Sequence, residues 1–169
     1  MRYQLIIIIA LALFPCLAFS QGIMSVGDLL KLRQSVSAQN SQTSEILSKN
    51  GYVKSYQKSQ TEFYFYKNCR LQIAPENNQG IEIEASPMNE KATFICISTN
   101  PYGGYISVTS YGKANFNKWV AQIKALGYRN NGNGGEGNQG RDWGYSKRGA
   151  PDLSIWNDYV DTYVLSVEY

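Results

Sequence analysis

Residues Leu5 to Leu13 are apolar without interruption, and no later stretch of the chain stays apolar for so long. Arg2 precedes the run and Ala18-Phe19-Ser20 closes it, which is the basic, apolar and small-residue order of a cleaved signal peptide over residues 1–20. The run falls short of the roughly 18 residues a spanning helix needs, and Pro15 interrupts it. Export is therefore expected, with a mature chain from about Gln21, no stable membrane span and a periplasmic or secreted location. Cys16 raises the alternative of acylation at the cleavage point, but Phe14 and Pro15 stand where a lipoprotein site has small residues.

After the leader the apolar positions become periodic. Met24-Ser25-Val26-Gly27-Asp28-Leu29 carries a helix start, with Ser25 as cap, Asp28 as a short capping-box acid and Met24 with Leu29 as the staple. Apolar positions continue through Leu32 and Val36, fade in the polar stretch Ser37 to Ser44 and return at Ile46 and Leu47, so one long helix or two shorter ones fit. Gly51 supplies the left-handed stop, with Tyr52 placed to pack on Leu47. The same phrase recurs later: Phe116, Trp119, Val120, Ile123 and Leu126 keep helical spacing, then Gly127 and Tyr128 end it.

Each Gly-Tyr is followed by strand-like sequence. The first is followed by Glu62 to Tyr66, Cys69 to Ile73, Ile81 to Glu84, Thr93 to Ile97 and Tyr105 to Tyr111. Ile81 and Ile83 are expected toward the core, with Glu82 and Glu84 on the wet face. After the second come Trp143 to Tyr145, Leu153 to Trp156 and Tyr159 to Tyr169, with Asn157-Asp158 as a hairpin turn and Thr162 to Ser166 as the counterpart of Thr93 to Ile97. The prediction is an α+β fold of two tandem helix-then-antiparallel-sheet units, 21–111 and 112–169. Neither unit covers its sheet alone, so the two share a core or a continuous sheet as one compact domain. The order resembles, in architecture and in no single motif, small extracytoplasmic inhibitor and adaptor proteins built of tandem helix-and-sheet repeats.

Composition narrows the chemistry. The chain has no histidine, which removes Ser-His and Cys-His nucleophile pairs, His-ligated zinc and the usual proton shuttle at neutral pH. Past the leader, Cys69 and Cys96 remain; an oxidising compartment favours a disulfide, closing a roughly thirty-residue loop worth roughly 3–4 kcal/mol, with two buried thiols as the alternative. The net charge of +3 is spread without a Lys/Arg cluster, which argues against nucleic acid. Asp152, Asp158 and Asp161 allow a carboxylate-based hydrolase in principle, although turn and surface roles account for them more simply. No calcium-loop spacing is present, and no metal or cofactor is expected. Gly132, Gly134 and Gly137 match G-x-G-x-x-G, yet they follow a helix and lead toward a strand, the reverse of a dinucleotide-binding turn; a polar loop over 129–144 is the reading.

Aromatics are the positive signal. There are 13 tyrosines, one of them in the leader, and 3 tryptophans. Tyr64, Tyr66, Tyr102, Tyr105, Trp143 and Tyr145 are the candidate binding residues, since Tyr and Trp offer large contact area with a polar handle. The expected function is non-enzymatic recognition of another extracytoplasmic protein, of inhibitor, immunity or adaptor type, through an aromatic sheet face and its loops. A glycan or small-ligand binder using the same rings for stacking is the alternative.

Overall fold

Ser25 caps the first helix as its sequence requires. Its hydroxyl accepts the Asp28 N–H at 3.0 Å and donates to Asp28 Oδ2 at 2.9 Å. The acid thus meets the capping hydroxyl and not the backbone amide, a shorter reach than a capping-box Glu makes. This is α1 (Val26–Ser37), and the staple residues Met24 and Leu29 are both buried. The computed structural model describes residues 22–52, 54–74, 82–131, 136–137 and 140–168. The leader, Cys16, Ile81 and residues 132–135 and 138–139 of the glycine-rich run lie outside those residues.

The polar stretch after α1 resolves into two helices. Gln39 takes a left-handed φ of 51°, and the buried Ser35 hydroxyl meets Asn40 Oδ1 at 2.8 Å and Thr43 Oγ1 at 2.6 Å, which fixes the break before α2 (Gln42–Lys49). Gly51, at φ 83°, then closes α2: its N–H reaches the Ser48 carbonyl at 2.9 Å and the Tyr52 N–H reaches Leu47 at 3.0 Å. The third helix, α3 (Lys113–Ala125), ends identically, with Gly127 at φ 83° bonded to Lys124 and Tyr128 bonded to Ile123. A lysine completes each stop. Lys67 Nζ donates to the Asn50 carbonyl at 2.8 Å and lies 6.0 Å from the Tyr52 ring; Lys147 Nζ donates to Leu126 at 2.7 Å and lies 5.9 Å from the Tyr128 ring. Each cation meets the negative end of a helix dipole and the face of a ring.

In chain order the described strands are β1 (Lys54–Gln57), β2 (Glu62–Lys67), β3 (Cys69–Ala74), β4 (Glu82–Pro87), β5 (Thr93–Ser98), β6 (Tyr105–Tyr111), β7 (Arg129–Asn130), β8 (Glu136–Gly137), β9 (Gly140–Ser146), β10 (Leu153–Tyr159) and β11 (Thr162–Glu168). One antiparallel sheet runs β1-β2-β5-β6-β11-β10-β9-β7, with β8 paired to β9 and the β3–β4 hairpin separate. Its two halves meet along β6 and β11, from Tyr111 opposite Thr162 to Tyr105 opposite Glu168. The expected turn at Asn157-Asp158 falls instead at Val160-Asp161, where Asp161 takes φ 57° and the Asn157 amide donates to the Thr162 carbonyl. Within the glycine-rich run, Glu136–Gly137 pairs with Arg141 and Gly140, so that part is a short hairpin and not a loop.

The helices cover one face. Ile95, Ile97, Ile106, Val108, Leu153, Ile155, Leu165 and Val167 meet Leu29, Leu32, Trp119 and Ile123 in a single core. The Trp119 indole N–H donates to the Met24 carbonyl at 2.9 Å and Gln122 accepts the Val26 N–H at 2.8 Å, which ties α3 to the start of α1. Asn68, at φ 52°, turns the chain from β2 into β3, and Leu71 and Ala85 of the hairpin pack beside Tyr66, Cys69 and Ala92 in a second, smaller cluster.

The expected Cys69–Cys96 disulfide is not formed; both are buried free thiols. The register explains it. Cys69 Sγ lies 3.5 Å from the Thr93 carbonyl, whereas Cys96 sits three residues further along β5, opposite Tyr64, roughly 10 Å away at strand rise. A disulfide needs Cα atoms within about 7 Å.

Candidate functional site

Strand alternation decides which side chains leave the core. With Ile95, Ile106, Ile155 and Leu165 turned to the helices, their neighbours turn to the opposite face, on which no described helix packs. Register then orders that face into rows. One row reads Gly144, Ser154, Ser166, Ser107, Cys96, Tyr64, Tyr56. The next reads Asp142, Trp156, Val164, Thr109, Phe94, Tyr66. On the other side of the first row, Glu168, Tyr105, Ser98 and Glu62 are consecutive partners. The face is thus a small-residue floor edged by aromatic rings. Thr109 and Val164 are buried there because Trp156 and Phe94 flank them in the same row.

The six candidate residues separate. Tyr64, Tyr66 and Tyr105 share this face, half-buried except for the buried Tyr66. Tyr102 stands at its edge in the β5–β6 turn, 97% exposed. Trp143 and Tyr145 belong to the helix side: Tyr145 is buried in the main core, and the Trp143 ring lies 4.8 Å from Phe116 of α3. Those two do not join the surface formed by the others, because odd-numbered positions of β9 face inward. Tyr56, Phe94, Tyr111 and Trp156 complete the aromatic set and were absent from the candidates. Alternation signals Trp156 and Phe94 only once Ile155 and Ile95 are known to face the helices.

Polar contacts hold the rings. The Tyr64 hydroxyl donates to Glu62 Oε1 at 3.0 Å, and Cys96 Sγ lies 3.8 Å from both that oxygen and the Tyr105 hydroxyl. Burial pushes the Cys96 thiol up, and burial followed by the Cys96 charge pushes the Tyr105 phenol up to about 12. Tyr64 is raised by the same causes in the same order, and Tyr66 rises to about 12 through burial and then Cys69. A thiol held protonated is a poor nucleophile.

At the β9–β10–β11 end an open groove of about 580 Å³ is lined by Arg33, Asp142, Asp152, Ser154, Ser166 and Glu168, among others. The three aspartates named as a possible hydrolytic set are divided: Asp152 precedes β10, while Asp158 and Asp161 lie at its far end, beside the turn to β11. Among the described residues no group of three or more His, Cys, Asp or Glu side chains can hold a metal ion, and no helix is long and apolar enough to cross a membrane. Three large apolar side chains stand out: Tyr102 and Val160, the latter 92% exposed, at turns of the main sheet, and Met88, 63% exposed, just after the β3–β4 hairpin. No family model, curated protein or solved structure matches the chain.

Proposed function

We propose that the chain is an exported, non-enzymatic recognition protein that binds another extracytoplasmic protein through the helix-free face of its sheet. The observation that carries this reading is the partly exposed aromatic set on that face, Tyr56, Tyr64, Phe94, Tyr105, Tyr111 and Trp156, with Tyr102 and Val160 standing clear of the surface at its two ends. Aromatic anchors of this kind dominate protein interfaces because they bury large area for little rotamer entropy.

The fold is read as two fused units, 21–111 and 112–169. Support comes from the two Gly-Tyr helix stops with their matching lysines, and from a strand order that mirrors about the β6–β11 seam. On this reading β6 is the counterpart of β11, so Thr93 to Ile97 pairs in descent with β10 and not with Thr162 to Ser166. The β3–β4 hairpin belongs to the first unit alone, and the β8 hairpin to the second.

Pulldown from periplasm or culture medium with immobilised protein tests the function. The expected result is a saturable protein partner whose capture is lost, at least tenfold, with Trp156→Ala plus Tyr102→Ala. Glycan-array binding without a protein partner would transfer the face to the sugar-stacking reading.

A further inference from the structure

We propose that the groove at the β9–β10–β11 end of the helix-free face receives a cationic side chain, arginine or lysine, from the protein that docks there. This rests on the protein-binding reading and adds the chemistry of the partner.

The groove is built by register. Gly144, Ser154 and Ser166 are consecutive partners across three strands and form its floor. Leu153 pairs with Val167, so Asp152 and Glu168, one position beyond each, stand side by side along one wall. Asp142, opposite Trp156, stands on the other wall. All three acids are exposed, all line the groove, and none forms an ion pair with a described lysine or arginine. Arg33 is the one cation of the described lining, and its Nε donates to the Glu168 main-chain carbonyl at 2.6 Å. Three acids against one described cation make the groove locally acidic in a chain of net charge +3, opposite in sign to the whole.

A further feature points to a ligand. Ser166 is 8% exposed and its hydroxyl makes no hydrogen bond to a described residue, yet it lines the groove. A hydroxyl oxygen opening on the groove beside carboxylates is an acceptor free to take a donor. A guanidinium carries five N–H donors and no acceptor, and an ammonium three; both match two carboxylates and a serine oxygen. Gly144 makes room for the Asn131 side chain, which lies across it and joins the lining: a Cβ at Gly144 would collide with it.

The test is a nuclear magnetic resonance titration of the exported protein with N-acetyl-arginine amide. The expected result is saturable shifts at the Gly144, Ser154 and Ser166 amides with a dissociation constant on the order of 1 mM. The neutral isostere N-acetyl-citrulline amide should give at least tenfold weaker binding, as should the Asp142→Asn, Asp152→Asn, Glu168→Gln triple variant. Raising ionic strength to about 1 M, where the screening length is about 3 Å, should weaken the arginine response in the unaltered protein, which keeps the test valid if the variant misfolds. Equal binding of citrulline, preferential binding of N-acetyl-aspartate at Arg33, or insensitivity to salt would overturn the proposal. Loss of the arginine response with partner capture still dependent on Trp156 and Tyr102 would remove the charge assignment alone. Loss of capture itself would remove the underlying reading.

Discussion

Tyr66 and Tyr105 stand on one face of the sheet, and burial raises both phenols to about 12 from an ordinary value of 10.0. The unfolded chain ionises these groups near pH 10 while the folded chain still holds their protons, so the unfolded state binds fewer protons in that interval and stability falls as pH rises. Their contribution is complete below about pH 10 and is lost as pH climbs toward 12. Urea denaturation followed across pH 8 to about 12 should show the midpoint declining above pH 10, in step with tyrosinate absorbance. The thiols give a second outcome at this scale. Alkylation without reductant should leave Cys69 and Cys96 slow to react in native protein, since burial raises both, and should modify both in denaturant. A mass matching an intact disulfide would contradict the register. Compartment and residue count led the sequence to favour a bridge; neither reports that the two sulfurs are separated along β5.

The helix stops show how much an element owes to local sequence. Ser25, Asp28, Gly51 and Gly127 act where their types require, because capping and left-handed stops are settled within six residues. Gly51→Ala and Gly127→Ala should each lose about 1–2 kcal/mol for forcing a Cβ into positive φ. Gly51→Ala should be the costlier, since its Cβ would lie 3.3 Å from Lys67 Cε against 3.9 Å from Lys147 Cε at Gly127. Parallel urea titrations of the two variants check the order. The lysines beneath those stops carry no local signal, because strands far along the chain deliver them. The hairpin at Val160-Asp161 was missed for a related reason: Asn157-Asp158 has the better turn composition, but pairing of Leu153 with Val167 sets the register and moves the turn.

At the scale of the molecule, the α1–α3 contact holds the helical layer on both halves of the sheet. Trp119 is fully buried and bonded to the Met24 carbonyl, so Trp119→Ala should cost about 3–5 kcal/mol, read as a large loss in denaturation midpoint. Trp156→Ala, on the opposite face, should lower the midpoint much less than Trp119→Ala while weakening partner capture; the contrast separates a core tryptophan from a half-exposed one. By itself the sequence determined the α+β class, the first helix cap, the two Gly-Tyr helix stops, most strands and the absence of histidine chemistry, because each follows from composition or from periodicity over a few residues; the break between α1 and α2 it left open. Which aromatics share a surface was decided only by tertiary structure. A strand has two faces, and its own pattern does not say which of them the helices will cover when both carry rings. Only pairing across β1 to β11 assigned Trp143 and Tyr145 to the helix side, Trp156 and Phe94 to the helix-free face, and Asp142, Asp152 and Glu168 to one groove.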